Sequence, residues 1–312
     1  MRKRRARHHR SSLANQVVLG AVVLILLSAT GALAGTSPVP VVNTPAIEWE
    51  STRAPGYLAY TQNSAGRPNH YALWVKPDGE ARWRATTNAV SGAHPDIELA
   101  NSHLSDVLVW SKGRRDAWDL AFTDLATGDR IAVPDGINTN RAEREPSVSG
   151  DHLLFARGPQ SGAPYADTAI LWDLATDTST VLDSTNRGLV NAGWVAGDYA
   201  VWQKCPGTSC SIFRYQISTE ETIRLPADVP VVYSPAVTSA GTVFYVRSGF
   251  ACGQHTKIVK VTDATTLSTV YSFPDGVDAT DLYAYETKGT DLYLSRVTCR
   301  TFDFDVYVLN NV

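Results

Sequence analysis

Short hydrophobic runs alternate with turn-forming residues along nearly the whole chain beyond residue 35. The runs are rich in β-branched and aromatic residues, they are separated by Gly, Pro, Asp, Asn and Ser, and a 3.6-residue period is almost absent. β-Branched and aromatic side chains favour strands, and the small turn formers separate one strand from the next. The pattern therefore predicts an all-β protein built from many short strands.

The turns recur at a nearly constant spacing. A tight turn precedes each strong strand at six positions 44 to 49 residues apart: Gly56, Ser105, Gly150, Gly197, Gly241 and Gly289. An aromatic residue follows each turn by four or five residues: Tyr60, Trp110, Phe155, Trp202, Tyr245 and Tyr293. We expect these rings to fill the interfaces between neighbouring repeats, because large flat side chains bury much apolar surface.

Each repeat supplies four strands, which is the composition of a propeller blade. The sixth repeat is an exception, since it reaches Val312 after only three strands, whereas Pro38–Val42 precedes the first repeat without a partner of its own. We predict that Pro38–Val42 is the outer strand of the last blade, where proline is tolerated and where closure hides the sheet edges. The predicted fold is a six-bladed β-propeller spanning residues 35–312.

The third repeat resembles a known family. Residues Glu145–Arg157, with the sequence EPSVSGDHLLFAR, are similar to the TolB-like β-propeller repeat P-x-W-S-P-D-G-x-x-I-A-F-x-[ST]-x-R, and weaker copies begin near Asn191 and Ser234. The resemblance implies an exported six-bladed propeller that contacts proteins or the cell envelope. It carries no catalytic residue over to this chain.

The first 34 residues have the layout of an export signal. Residues 2–10 hold six cations and no acid, an apolar run extends from Val17 to Leu27, and Ala32-Leu33-Ala34 has the small-residue pattern of a cleavage site. A membrane-spanning helix needs about 20 apolar residues, more than this run supplies. The sequence predicts a signal peptide over residues 1–34 and a secreted or cell-surface protein, with an uncleaved membrane anchor as the alternative.

Removal of the signal changes the charge of the protein. The whole chain has 28 Lys and Arg against 31 Asp and Glu, and loss of the six N-terminal cations takes the net charge from −3 to −9. Nucleic acids require a basic surface on their protein partners. We therefore expect no nucleic-acid partner, a protein or cell-envelope component as the ligand, and a monomeric state.

Four cysteines stand in the predicted propeller. An even number of cysteines in an exported chain indicates disulfides, and four of them allow three pairings. Cys205 and Cys210 flank the Pro206-Gly207 turn, which leaves Cys252 to pair with Cys299. Neither C-x-x-C pairs nor histidines at ligand spacing accompany them, so the sequence predicts no metal and no other cofactor.

Candidate binding residues stand where the chain enters the inner strands of the predicted blades. In a propeller these positions surround the mouth of the central channel. They are His94, Asp96, Glu145, Asn191, Ser234, Asp278 and Asp281. The alternative is that these residues only cap strand ends and hydrogen-bond the turns.

Catalysis is the competing function. His94 titrates near neutral pH and could act as a base with Glu145 or Asp278, which would make the protein a propeller enzyme such as a glycan lyase or hydrolase. The chain has no nucleophile elbow, phosphate-binding loop, zinc-protease or dinucleotide motif, and no catalytic residue is assigned. A third alternative is a purely structural domain anchored at the cell surface.

A further set of polar residues follows the blade aromatics. It consists of Gln62, Lys112, Arg157, Lys204, Arg247 and Arg296. These residues form either a cationic ring for an anionic ligand or pairs with acids of neighbouring blades.

Overall fold

The computed structural model describes the chain in nine segments, which contain strands and connecting loops. They are residues 37–64, 67–89, 93–114, 117–159, 166–227, 231–249, 251–263, 265–287 and 289–312. The predicted signal peptide, residues 1–34, lies outside the described residues. None of these segments contains a helix long and apolar enough to span a membrane.

Within the described segments, 24 strands form six antiparallel sheets of four strands each. Blade 1 consists of β2 (Glu48–Ala54), β3 (Tyr57–Ser64), β4 (Arg67–Pro77) and β5 (Trp83–Ala89). Blade 2 consists of β6 (Asp96–Glu98), β7 (Val107–Arg114), β8 (Ala117–Asp124) and β9 (Arg130–Ile131). Blade 3 consists of β10 (Ala142–Ser149), β11 (His152–Gly158), β12 (Thr168–Asp173) and β13 (Thr178–Ser184).

The second half of the chain repeats the arrangement. Blade 4 consists of β14 (Leu189–Ala196), β15 (Tyr199–Cys205), β16 (Ser211–Gln216) and β17 (Glu221–Arg224). Blade 5 consists of β18 (Val231–Val237), β19 (Val243–Ser248), β20 (Lys257–Val261) and β21 (Leu267–Ser272). Blade 6 takes β22 (Val277–Glu286), β23 (Thr290–Thr298) and β24 (Asp303–Leu309) from the C-terminus and β1 (Val39–Val42) from the N-terminal side.

The ring is closed because the N-terminal strand β1 joins the sheet formed by the three C-terminal strands. Strand β1 pairs antiparallel with β24, with Val39 opposite Val308 and Val42 opposite Val306. Pro40 sits on the outer edge, where a missing N–H costs no ladder hydrogen bond. The predicted six-bladed fold and its closure by Pro38–Val42 are thus confirmed.

The hydrophobic core of the described residues lies between the blades. It forms six clusters, each shared by two neighbouring blades. Five of the six repeat aromatics are almost completely buried in these clusters: Tyr60, Trp110, Phe155, Trp202 and Tyr245. Tyr293 packs partly buried at the junction of blades 6 and 1. The repeat aromatics of blades 1 to 5 therefore pack against the preceding blade of the ring, whereas Tyr293 of blade 6 packs at the junction with blade 1.

Candidate functional site

A cavity of about 260 Å³ lies at the mouth of the central channel, at the end where the innermost strands begin. We call it the upper basin. All six blades contribute to its lining, which includes Glu50, Ser51, His94, Glu145, Asn191, Trp194, Tyr233, Ser234 and Asp281. The repeat therefore brings residues from 50 to 281 into one site.

Five of these side chains extend from backbone in the left-handed region. The φ angles are 50° at Glu50, 39° at His94, 53° at Glu145, 50° at Ser234 and 52° at Asp281. Residues other than glycine seldom adopt such angles, and each costs about 1–3 kcal/mol unless the surroundings enforce it. Four of them stand at equivalent β-bulges in four different blades, where the register between the innermost and the second strand shifts. The fifth, His94, lies just before β6.

Hydrogen bonds between blades hold the three acidic members of this set in place. The backbone N–H of Glu50 donates to Ser295 Oγ at 3.0 Å, and that of Glu145 donates to Ser111 Oγ at 3.0 Å. The N–H of Asp281 donates in the same way to Ser234 Oγ at 3.1 Å. In each case the acceptor belongs to the preceding blade of the ring. The carboxylates are therefore mounted on backbone fixed by its neighbour.

Blade 4 departs from the pattern. Its bulge falls between Ala192 and Val195, and Gly193 takes the place that carries a side chain in the other blades. A Cβ at Gly193 would lie 2.7 Å from Pro235 Cγ and 2.7 Å from the carbonyl oxygen of Val201, so only glycine fits. Blade 4 instead contributes the amide of Asn191, which donates to Gln203 Oε1 at 3.3 Å.

Glu50 and His94 form the closest charged contact in the upper basin. His94 Nε2 lies 3.7 Å from Glu50 Oε1, and the His94 N–H donates to Glu50 Oε2 at 3.3 Å. Burial raises the pKa of Glu50 to about 7, against the opposing effect of His94. Burial disfavours the imidazolium, but Glu50, Glu145 and Asp281 outweigh this and raise the pKa of His94. Each group therefore favours the charged form of the other, while burial favours the neutral form of both.

The remaining acids extend the negative potential across the basin. Burial raises the pKa of the Glu145 carboxyl, while His94 and Arg144 oppose the rise and Asp281 adds to it. Arg144 lies over the ring of Trp118 at 5.2 Å. Asp281 of blade 6 therefore raises the pKa of both Glu50 of blade 1 and Glu145 of blade 3.

Two buried polar atoms in the lining have no hydrogen-bond partner among the described residues. They are Ser51 Oγ and Glu145 Oε2. Ser51 is only 2% exposed. Buried polar groups are satisfied in the great majority of cases, so such atoms mark a place where a ligand or water supplies the missing partner.

Trp194 forms the floor of the upper basin. It also lines a second cavity, of about 300 Å³, at the opposite end of the channel, and it is the only described residue that lines both. Its ring packs against Tyr283 with centroids 4.6 Å apart, and the Tyr283 hydroxyl donates to the carbonyl oxygen of Arg53 at 2.7 Å. We call the second cavity the lower basin.

The structure brings five of the seven candidate binding residues together in the upper basin: His94, Glu145, Asn191, Ser234 and Asp281. Asp96 lines the lower basin instead and is 2% exposed. It accepts hydrogen bonds from Thr52 Oγ1 at 2.8 Å, Ile97 N at 2.9 Å, Ser147 Oγ at 3.0 Å and Val148 N at 2.7 Å. Its carboxylate thereby joins blades 1, 2 and 3.

Asp278 stands behind the wall of the upper basin. It accepts hydrogen bonds from the Tyr233 hydroxyl at 2.5 Å and from Thr256 Oγ1 at 3.1 Å. Burial and the Asp278 carboxylate raise the pKa of Tyr233, which keeps this hydroxyl protonated. Asp278 therefore positions a lining residue.

Both predicted disulfides are present. Cys205 is bonded to Cys210, and Cys252 is bonded to Cys299, which ties blade 5 to blade 6. In the described residues, the one group of metal-type ligands lying within 4.8 Å of one another is Cys252, Asp278 and Cys299. Because the two sulfurs are bonded to each other, they are not thiolate ligands.

Glu50 was missed by the sequence reasoning. It is 6% exposed and lies at the centre of the charged group, yet no proline follows it, as one follows His94, Glu145 and Ser234. The available signal was its place one residue after Trp49, at the start of the first inner strand.

The set of polar residues that follows the blade aromatics does not line the upper basin. Arg157 Nε donates to Glu143 Oε1 at 2.8 Å, and Lys204 Nζ donates to Asp183 Oδ1 at 2.6 Å. Gln62 Nε2 donates to Glu48 Oε1 at 2.6 Å. These contacts support pairing with nearby acids, within a blade or across to the next.

Comparisons with known proteins agree with this architecture. No protein-family profile and no curated protein sequence matches the chain. TolB from Acinetobacter baumannii matches over 81% of this chain and 63% of its own length, with 18% identity and a TM-score of 0.52. A TolB-like protein from Agrobacterium tumefaciens matches over 85% of this chain and 91% of its own, with 11% identity and a TM-score of 0.51.

The chain is a six-bladed β-propeller similar in structure to TolB. It spans less than two thirds of the length of the Acinetobacter protein. A luciferin-regenerating enzyme is similar as well, over 87% of this chain and 95% of its own, with 12% identity and a TM-score of 0.56. At such identities the likeness shows the fold, which binding proteins and enzymes share.

Proposed function

We propose that this protein is an extracytoplasmic binding propeller that takes a protein or cell-envelope component at its channel-mouth face. Two disulfides are typical of proteins that fold outside the reducing cytosol. With the N-terminal segment predicted from the sequence, they support a secreted or cell-surface location. The acidic charge of the propeller argues against a nucleic-acid partner.

The observation that carries the proposal is the convergence of the blades on the upper basin. Five side chains are held there on strained backbone, and inter-blade hydrogen bonds fix three of them. Strain is retained where the surrounding structure enforces it, and such positions cluster at binding and catalytic sites. Structural capping alone gives no reason to collect Glu50, Glu145 and Asp281 around an open cavity.

Binding is favoured over covalent catalysis by the partners of the hydroxyl groups. Ser234 Oγ accepts the Asp281 N–H and lies 3.1 Å from Thr280 Oγ1. Ser51 Oγ has no partner among the described residues. Neither hydroxyl is therefore hydrogen-bonded to the His94 imidazole, the arrangement that activates a serine nucleophile.

The test is capture of partners from an envelope extract by the purified protein with both disulfides intact. The variant carries Glu50→Gln, Glu145→Gln and Asp281→Asn, which keep the side-chain shapes and remove three negative charges. The matched control carries Glu80→Gln, Glu220→Gln and Glu221→Gln in exposed outer hairpins and makes the same change in charge. We expect one specific partner that the control retains and the basin variant loses. Equal capture by both variants would place binding elsewhere.

A propeller enzyme acting on glycans, as a lyase or hydrolase, is the second candidate. It is favoured by the Glu50 carboxyl, whose pKa of about 7 and contact with His94 suit proton transfer near neutral pH. A screen of glycan, peptide and ester substrates tests it. An enzyme loses about 100-fold or more in kcat on Glu50→Gln or His94→Gln while remaining folded. Absence of turnover by the unaltered protein supports the binding function.

A further inference from the structure

The upper basin has a composition suited to one kind of ligand group. Its charged lining consists of the acids Glu50, Glu145 and Asp281 and one imidazole, His94. The imidazole is 3.7 Å from the nearest Glu50 oxygen and can neutralise at most one of the three acids. Ionisation of more than one of these carboxyls therefore leaves the site negative even with His94 protonated, and a bound cation favours their ionised form.

The spacing of the acids favours an organic cation over a metal ion. Oxygen ligands lie about 2.3–2.6 Å from Ca²⁺, so the ligand atoms of one ion fall within about 5 Å of each other. Among the described residues, no three His, Cys, Asp or Glu ligand atoms of the upper basin meet a limit of 4.8 Å. An ammonium or guanidinium group bridges wider gaps, because its several N–H bonds point outwards.

The two unpartnered polar atoms of the lining can both accept a hydrogen bond from a ligand. Glu145 Oε2 is an acceptor, and Ser51 Oγ has acceptor lone pairs, and neither has a partner among the described residues. Ser51 is 2% exposed, so its hydroxyl is enclosed by the basin wall. A ligand N–H group can donate to Glu145 Oε2, which an anion or a carbonyl group cannot do, and the Ser51 hydroxyl can accept from a donor of the same kind.

The walls and floor favour a cation carried on an apolar stem. Pro95, Pro146 and Pro235 line the sides, Tyr233 stands beside them and Trp194 closes the floor. Aromatic faces attract ammonium and guanidinium groups, and aliphatic stems pack on proline rings. Because Trp194 separates this cavity from the lower basin, the ligand enters from the channel mouth.

We propose that the upper basin binds one alkylammonium or guanidinium group, supplied by a lysine or arginine side chain of the partner protein. This inference rests on the binding function proposed above and specifies the group that is recognised. A cavity of about 260 Å³ open at one end accommodates one such side chain while the partner backbone remains outside. The same chemistry is available from a free amine, which the experiment separates.

The probes are four capped pentapeptides with Lys, Arg, norleucine or citrulline at the centre of a glycine frame. Norleucine keeps the lysine stem without the ammonium, and citrulline keeps the arginine shape without the charge. Binding to the unaltered, ¹⁵N-labelled protein is followed by NMR, with Ala192, Trp194 and Ser234 as reporters from the basin lining. We expect the Lys or Arg peptide to bind at least about tenfold more tightly than its neutral counterpart, and raised salt to weaken it.

The variants are measured in the same titrations. The triple variant Glu50→Gln, Glu145→Gln and Asp281→Asn should lose at least about tenfold in affinity for the cationic peptide, and the Glu80, Glu220 and Glu221 control should lose less than about twofold. Equal affinity for charged and neutral peptides, or shifts confined to residues outside the basin, would overturn the proposal. The reporters on the unaltered protein preserve this test if the triple variant fails to fold.

Two further arms identify the source of the cation. If n-butylammonium binds as tightly as the Lys peptide, the ligand is a free amine, and the assignment to a partner side chain is wrong. If Ca²⁺ alone displaces the peptide at micromolar concentration, the basin is a metal site and the proposal is wrong. If the triple variant loses the partner that the unaltered protein captures, yet the unaltered protein binds no cationic peptide more tightly than its neutral counterpart, this inference fails and the binding function proposed for the basin stands.

Discussion

The acidic residues at the two ends of the channel differ in their hydrogen-bond partners. In the lower basin Asp96 accepts four hydrogen bonds, Glu98 Oε2 accepts the Gly150 N–H at 2.9 Å, and Glu286 Oε2 accepts the Ser239 N–H at 2.6 Å. Each of these acids binds a neighbouring blade. In the upper basin Glu145 Oε2 is buried without a partner among the described residues.

The acids at the two ends of the channel therefore differ in their hydrogen-bond partners rather than in residue type. The lower-basin acids accept hydrogen bonds from backbone N–H groups or hydroxyls of a neighbouring blade and so stabilise the contacts between blades. Glu145 combines strained backbone with a buried carboxylate oxygen that has no partner among the described residues, whereas Glu50 Oε2 accepts from Thr61 Oγ1 at 3.3 Å and from the His94 N–H at 3.3 Å. Substitutions made in one basin at a time test this difference.

The largest effect is expected from Asp96→Ala. The change strands the Val148 N–H and the hydroxyls of Thr52 and Ser147 in the interior, and each buried unsatisfied group costs about 1–3 kcal/mol. We expect the free energy of unfolding to fall by about 4–5 kcal/mol in urea titrations. Glu145→Gln should change it by less than about 1 kcal/mol. Similar losses from both variants would remove the distinction between the basins.

The next effect concerns the support behind the upper basin. Cys252–Cys299 closes 47 residues and Cys205–Cys210 closes five. Chain entropy gives about 4 kcal/mol for the longer loop and about 2 kcal/mol for the shorter one. Replacement of each pair by serine should therefore lower the melting temperature more for Cys252 and Cys299. A larger fall in melting temperature on replacement of Cys205 and Cys210 would contradict this ranking of the two disulfides.

The pH dependence of stability depends on titratable groups in both the upper and the lower basin. Burial raises the pKa of Glu50 and of Asp96 to about 7, and the pKa values of His94 and Glu145 are raised as well. The folded protein then binds more protons than the unfolded chain between about pH 4.5 and 7, so these groups stabilise it below that window and the contribution is lost as pH rises through it.

We expect the free energy of unfolding to fall from pH 5 to pH 8, by about 2 kcal/mol for each of the Glu50 and Asp96 carboxyls. Glu50→Gln should flatten the share that comes from the upper basin, and Asp96→Asn the share from the lower one. Urea titrations at a series of pH values measure both. Stability that rises over this range would show that these carboxyls are not protonated in the folded protein.

The architecture was accessible to sequence reasoning because its signals are local and repeated. Turns such as Gly150 and Gly197, with an aromatic residue five positions later, mark the first hairpin of a blade, and the missing fourth strand of the sixth repeat points to Pro38–Val42. The disulfides followed by elimination once the Pro206-Gly207 turn had paired Cys205 with Cys210.

The site was only partly accessible, because its details depend on contacts between blades. The distance from the bulge to the next turn differs from blade to blade, six residues from Glu50 to Gly56 but five from Glu145 to Gly150, so a fixed offset does not find every member. Asp96 stands two residues after His94, yet its carboxylate is bound by Ser147 and Val148 of another blade. No local pattern reports such a contact.

The most direct test compares charge removal at the two basins in one pair of measurements. The variants are Glu50→Gln with Glu145→Gln and Asp281→Asn for the upper basin, and Glu98→Gln with Glu286→Gln for the lower basin. Unfolding free energy and affinity for the lysine peptide are measured for each. The upper variant should lose affinity by about tenfold or more and keep its stability, and the lower variant should lose about 1–2 kcal/mol of stability and keep its affinity. Retention of affinity by the upper variant, or its loss from the lower one, would contradict the account.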